Sequence, residues 1–449
     1  MNKDLSQGPI LKTLWLYCLP LLGSIILQQV YNLADSVVAG RFISEAALAA
    51  VGNATEITLI YTAFAMGCNM GCQVITSQLF GAKNIKGLKT GVSTACIAFG
   101  IVCLLLMAFG FIFTKPLLEL INTPEDILED SVLYLRIYTL GMPFVFFYNI
   151  GMGIFGALGD SKTPFIFLAI SSISNIVVDI IFVAVFNMGV AGVAWATFIC
   201  QGLAAILGWI VLYRRLHAMK CEQYEKFSKK LLQKLAIVAI PSLLQQSFIS
   251  VGNIIIQGII NGYGSSVVAG FTAAMKLNNI AIATFFAIAS GLSAFFAQNI
   301  GAETYDRLNK GFRAANYFAF AIAVPFIILY SFFGMQCAQL FLGEEASAQA
   351  FLTAKQVLLL IAPFYFIAAI KVITDGALRG AGAMKLFMID TFADLILRVG
   401  FAFLLSFLLG ESGIWWSWGI GWTIGMVIAE IFYFKGYWKN NLDFIKDVN

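Results

Sequence analysis

The sequence predicts an all-α integral membrane protein, with twelve transmembrane helices in two six-helix lobes related by a pseudo-two-fold axis along the membrane normal. Three observations lead there. Hydrophobic residues make up 60% of the 449, charged residues only 12%, and the mean hydropathy is +0.86. A soluble chain carries roughly 25% charged residues. Twelve apolar segments are long enough to cross a bilayer, and the second six repeat the first. The same composition excludes a disordered chain, a secreted disulfide scaffold and a nucleic-acid binder. With 41 Phe and one His, a histidine- or metal-based catalytic centre is not expected, and the chain is not expected to be an enzyme.

A helix needs about 20 apolar residues to span the hydrocarbon layer. The first such segment, 13–39, follows Lys3, Asp4 and Lys12 and shows no cleavage-site pattern, so it reads as a retained span rather than a signal peptide. The others lie near 46–80, 90–113, 131–157, 163–187, 190–213, 235–261, 266–297, 313–335, 353–378, 386–409 and 413–436. Connections are short except for the basic stretch 214–234. The eight Cys fall mostly inside apolar runs, where a thiol packs as a small hydrophobe; Cys68 and Cys72 share a helix face and suit packing better than metal binding.

Lys and Arg set the orientation. The connections that include both termini and 214–234 hold 21 of them; the opposite set holds four, namely Arg41, Lys115, Arg136 and Lys355. Both termini are therefore expected to be cytoplasmic, in the cell (plasma or inner) membrane. The repeat pairs Pro20 with Pro241, Asn32 with Asn253, Gln78-Leu-Phe-Gly-Ala with Gln298-Asn-Ile-Gly-Ala, Pro143 with Pro363, Gly156-Ala-Leu with Gly376-Ala-Leu, and Gly189/Gly192 with Gly410/Gly413, always 220 or 221 residues apart. Six spans per repeat bring both halves into the membrane in the same sense, the parallel-repeat arrangement of several secondary transporters. The expected lobes are residues 1–220 and 221–449.

The pattern resembles the multidrug and toxic compound extrusion (MATE) family over essentially the whole chain. The resemblance rests on Pro20 with Gln28–Asp35, Ala49-Ala-Val-Gly52, Gln78 to Ala82, Gly156-Ala-Leu-Gly-Asp160 and Gly376-Ala-Leu-Arg-Gly-Ala-Gly382, in that order and spacing. It implies two six-helix bundles, and export of small organic, often cationic or amphipathic compounds against an inward flow of H⁺ or Na⁺.

Charge inside a membrane costs at least about 2.5–3.5 kcal/mol per residue on insertion scales. Lys371 and Asp375 are four apart and are expected to pair; Asp390, Asp394 and Arg398 form a row in which Arg398 neutralises Asp394. Asp35 and Asp179 have no base three or four residues away. Gln28, Asn32 and Asp35 share one face, as do Ser171, Ser172, Asn175 and Asp179, and as do Thr197 and Gln201. Three polar stripes suggest a hydrated cavity in the first lobe. There a carboxylate can take a proton or, beside neutral oxygens, coordinate Na⁺, or it can serve as a hydrogen-bonded structural group.

The resemblance is to the DinF-like subgroup, whose N-terminal cation site carries over onto Asp35, Asn149, Asn175, Asp179 and Thr197, with Asp35 and Asp179 as the metal ligands if Na⁺ is the coupling ion. NorM-like members use acids in the seventh and tenth spans. Here the seventh span holds Gln257 but no acid, and Gln257 with Asp375 is only a secondary candidate. Glu56 and Lys276, near-equivalent across the repeat, are expected to line a central cleft. Together these readings predict a monomeric antiporter working by alternating access, with a small organic substrate, no nucleic acid and no bound cofactor beyond H⁺ or Na⁺. A flippase for a lipid-linked or polysaccharide precursor is the alternative; it would favour a strongly cationic cavity, and only Lys276 is an obvious candidate for one.

Overall fold

The computed structural model describes residues 4–42, 45–221, 223–342 and 346–444, with side chains for all of these but 30–42, 45, 48 and 56. Among the described residues there are fourteen α-helices and no strand. They are α1 (Ile10–Phe42), α2 (Glu45–Gly81), α3 (Ile85–Ile112), α4 (Thr114–Leu120), α5 (Glu125–Ala157), α6 (Lys162–Ile180), α7 (Gly189–Ala218), α8 (Lys229–Asn261), α9 (Ser265–Gly301), α10 (Asp306–Gln339), α11 (Ala348–Ile361), α12 (Tyr365–Gly380), α13 (Met384–Leu409) and α14 (Glu411–Phe434). Twelve spans are long and apolar enough to cross a membrane, α11 and α12 together making the tenth. This bears out the twelve predicted segments. Several helices start earlier than predicted: α5 begins at Glu125, α8 at Lys229 and α10 at Asp306. Hydropathy marks only the part of a helix in hydrocarbon, whereas charged helix-formers carry it on into the polar boundary.

Two compact units divide the chain. One contains residues 19–243 and the other 5–18 with 244–444. The divisions fall inside α1 and α8, beside Pro20 and Pro241. In the first unit α5 packs against α2, α3 and α7, and α6 lies against α7. In the second, α12 packs against α9, α10 and α14, and α13 lies against α14. The packing partners thus repeat with the sequence. Each unit also fixes the strand of chain leading into one of its helices. In the second, Leu5 N–H donates to Gln298 Oε1 at 2.8 Å and Arg307 Nη1 donates to Gly8 O at 3.0 Å. In the first, Ser228 N–H donates to Thr94 Oγ1 at 3.0 Å and Ser93 Oγ to Lys226 O at 2.6 Å.

The repeated glycines have local causes. Gly189 and Gly410, which open the turns into α7 and α14, have φ of +58° and +64°, conformations a Cβ disfavours. A Cβ on Gly413 would lie 2.1 Å from Leu405 O, so α13 and α14 pass there as bare backbone.

The repeat is not uniform. Pro143 sits inside continuous α5, whereas its counterpart Pro363 falls in a 3-10 turn, Ala362–Phe364, that separates α11 from α12. The fifth span ends in a π-helical stretch, Ile181–Val185, while α13, its counterpart, runs as α-helix to Leu409.

Candidate functional site

α6 is inside-out. Its buried residues are Pro164, Ser172, Asn175 and Asp179, and its exposed face carries Ile166, Ile170, Ile173, Val177 and Ile180. A soluble amphipathic helix buries its apolar stripe. In lipid the apolar residues face outward and a polar stripe is retained only toward the bundle interior. Asp179 is 0% exposed and Asn175 2%. Two residues beyond Asp179 the backbone changes to the π-helical stretch, a distortion found frequently at functional sites. Ser171 Oγ on the same helix donates to Cys200 O at 3.0 Å, tying α6 to α7.

Thr197, on α7, is buried and lines a small cavity together with Tyr138, Gly141, Val145, Ala194, Phe198 and Gln201. The cavity lies between α5 and α7, and its polar wall is Tyr138, Thr197 and Gln201. Asn149, half-buried one turn further along α5, donates from Nδ2 to Val145 O at 2.9 Å. Tyr138 was missed by the sequence reading. Its spacing from Gly141 and Val145 on one face of α5 was the available signal.

Asp35 lies on α1 and Glu56 on α2, but both side chains are outside the described residues. Lys276 is exposed on α9 with its Nζ 5.6 Å from the centre of the Phe341 ring. Gln257 is half-buried on α8 and donates from Nε2 to Asn261 Oδ1 at 2.9 Å.

The expected charge pairs of the second unit are present, and they join. Lys371 Nζ lies 2.8 Å from Asp375 Oδ2 on α12, and Arg398 Nε 4.0 Å from Asp394 Oδ1 on α13. Lys371 also reaches Asp394 Oδ2 at 3.8 Å, linking the two rows. Glu430, on α14, accepts from Thr374 Oγ1 at 2.5 Å, so it faces α12.

Among the described residues, no three His, Cys, Asp or Glu are arranged to hold a metal ion. What the first unit offers is a buried carboxylate and a buried carboxamide on a helix whose interior face is polar. Beside that helix, α7 presents a threonine to a small cavity. Such a set can bind and release a small cation; it holds no nucleophile–base pair for covalent chemistry.

A twelve-span, internally repeated helical fold with charge kept in the bundle interiors defines a multi-pass membrane transporter. The MatE family model matches residues 20–181 and again 241–404, once in each repeat. The chain belongs to the MatE family. It is 30% identical to the "Probable multidrug resistance protein YpnP" of Bacillus subtilis (strain 168), over 97% of each chain. It is 26% identical to the "DNA damage-inducible protein F" of Escherichia coli (strain K12), over 71% of this chain and 70% of that one. Its fold is that of a solved multidrug resistance MATE family transporter of the MOP superfamily, with a TM-score of 0.89 at 22% identity over 99% of each chain.

Proposed function

We propose that this family member is a cation-coupled antiporter that exports small organic, cationic or amphipathic compounds by alternating access, driven by inward H⁺ or Na⁺. Asp35 and Asp179 carry the coupling ion, and Asn149, Asn175 and Thr197 shape its site. The observation that carries the reading is α6, a helix that buries Asp179 and Asn175 and leaves its isoleucines outside. Keeping an acid there costs free energy, and bundle construction does not demand it: the positions aligned with Asp179 in the second repeat are Val399 and Gly400. Binding of the ion favours one conformation and binding of substrate the other, which is the thermodynamic content of coupled exchange. The relative's name supports the substrate class, since it is a multidrug resistance protein. The protein acts as a monomer in the cell membrane, with both termini in the cytoplasm, as the Lys and Arg distribution indicates.

The test is dye efflux from proteoliposomes with a pH gradient or a Na⁺ gradient imposed separately. One of the two should drive efflux. Asp179→Asn keeps the helix and its polar face but removes the titratable charge; it should still bind substrate and lose at least tenfold in gradient-driven rate. Wild-type-like efflux by both Asp35→Asn and Asp179→Asn would defeat the assignment.

A further inference from the structure

Among its described residues the second unit buries three aspartates, and one of them has no base beside it. Asp375 is 2% exposed, Asp390 0% and Asp394 5%. Lys371 and Arg379 stand beside them on α12, Arg398 on α13, and Glu430 faces Thr374 from α14. Ion pairs within 4.0 Å join bases to Asp375 and Asp394 but not to Asp390. An unpaired charge in such a setting costs several kcal/mol, and proteins resolve it by neutralising the group.

Geometry shows which buried aspartate lacks a base. Lys371 pairs with Asp375 at 2.8 Å and reaches Asp394 at 3.8 Å; Arg398 lies 4.0 Å from Asp394. Among the described residues, no base comes within 4.0 Å of Asp390. Its Oδ1 accepts a long 3.4 Å bond from the neighbouring Thr391 hydroxyl, and its Oδ2 has no donor at all. Asp375 Oδ1 likewise has no donor. These two carboxyl groups lie within hydrogen-bonding reach of each other, across α12 and α13. Two carboxylates have only acceptors, so nothing but a proton makes a hydrogen bond between them. α14 passes the cluster closely at Gly421 and Gly425. A Cβ there would lie 2.7 Å from Asp394 Oδ1 and 3.0 Å from Lys371 Cε, respectively.

We propose that Asp390 and Asp375 form a proton-binding site in the second unit, with Asp390 carrying the proton and donating it to the carboxylate of Asp375, and Lys371 as the counter-ion. One bound proton removes the like-charge repulsion between the two carboxylates and gives both orphaned oxygens a partner. It also clasps α12 to α13. Without it, two carboxylates face each other in a low-dielectric interior, and α12, already separated from α11 by the 3-10 turn at Pro363, is pushed off its neighbour. This site is separate from the acids proposed above for ion coupling and stands or falls without them.

Infrared spectroscopy on the purified full chain in lipid nanodiscs tests it, because a protonated carboxyl has a C=O stretch distinct from a carboxylate. Wild type at pH 7 should show that band, shifted when the aspartates are isotope-labelled. Asp390→Asn and Asp375→Asn should each lose one carboxyl equivalent of it, the second because Lys371 is then free to ionise Asp390. Asp179→Asn should keep that equivalent, which separates this site from the coupling site. A band undiminished in both the Asp390 and Asp375 variants overturns the proposal. So does a wild-type spectrum at pH 7 with no aspartate-derived band, a result that needs no variant to fold.

Discussion

Asp160 sits in the turn between α5 and α6 and serves several groups at once. Its Oδ1 accepts from the amides of Lys162 and Thr163, both at 3.0 Å, and its Oδ2 from the Thr163 hydroxyl at 2.6 Å and from Arg215 Nη1. Negative charge is thereby placed at the start of α6, where unpaired amides and the helix dipole favour it. Arg215 is held in turn by Thr163 at 3.0 Å and by the Phe155 ring, 5.2 Å from its guanidinium carbon. Burial pushes the Asp160 carboxyl up, but the Thr163 hydroxyl and amide and the Arg215 guanidinium outweigh it, leaving the pKa below the ordinary 3.8. A depressed carboxylate contributes stability that is fully present above its unfolded value and is lost as pH falls through its folded value. Asp160→Ala should therefore destabilise the first unit by on the order of 2–3 kcal/mol at pH 7, since it leaves Arg215 and two helix amides without their acceptor. In thermal unfolding in detergent the gap between variant and wild type should close below about pH 4. A gap that stays constant down to pH 3 would mean that the carboxylate contributes nothing as a charge.

Between helices the decisive residues are the ones without side chains. On α12, Gly376 and Gly380 are four apart, and a Cβ on them would lie 2.5 Å from Ala289 O and 2.4 Å from Ser293 O of α9. Small residues at that spacing let two membrane helices approach to backbone contact, where packing and dispersion replace the hydrophobic drive that lipid cannot supply. Gly376→Ala should lower the melting temperature through about 1–3 kcal/mol of overpacking, and Gly380→Ala should do likewise. Gly400→Ala, with no atom within 4 Å of the added Cβ, is the matched control and should leave the melting temperature unchanged. The sequence made much of this level legible. Twelve runs of sufficient length, paired glycines and a constant repeat offset locate the spans, and the i, i+4 spacing of Lys371–Asp375 and Asp394–Arg398 locates two ion pairs. What it could not show depends on contacts between helices far apart in sequence. The meeting of the two rows through Lys371 and Asp394, and of Asp375 with Asp390, follows from the packing of α12, α13 and α14. The fates of Pro143 and Pro363 differ for a related reason: a proline removes one hydrogen bond in either place, and tertiary packing decides whether the helix bends through it or breaks. The π-helical stretch after Asp179 has no signal in its own residues, Ile181 to Val185, which are ordinary apolar ones.

Across the whole molecule, the distribution of Lys and Arg makes a directional prediction that the chain's own cysteines can report. Cys18, Cys68, Cys72, Cys103, Cys200 and Cys337 are buried, and Cys96 is half-buried within α3. Cys221 is different: it lies in the stretch between α7 and α8, outside any helix, in the most basic connection of the chain. The thiolate is the reactive form and water access governs its formation, so a thiol held in the apolar part of a span reacts slowly with a charged maleimide. If the connections richer in Lys and Arg face the cytoplasm, as positive-inside orientation requires, Cys221 is shielded in intact cells and open in inside-out vesicles. A membrane-impermeant maleimide should then label the protein several-fold more in inverted vesicles than in whole cells, and Cys221→Ser should remove that difference. A second reporter comes from the opposite set of connections: a cysteine placed at Lys115, exposed at the start of α4, should show the reverse preference. Labelling of Cys221 in intact cells, with none gained on inversion, would turn the whole topology over and put both termini outside.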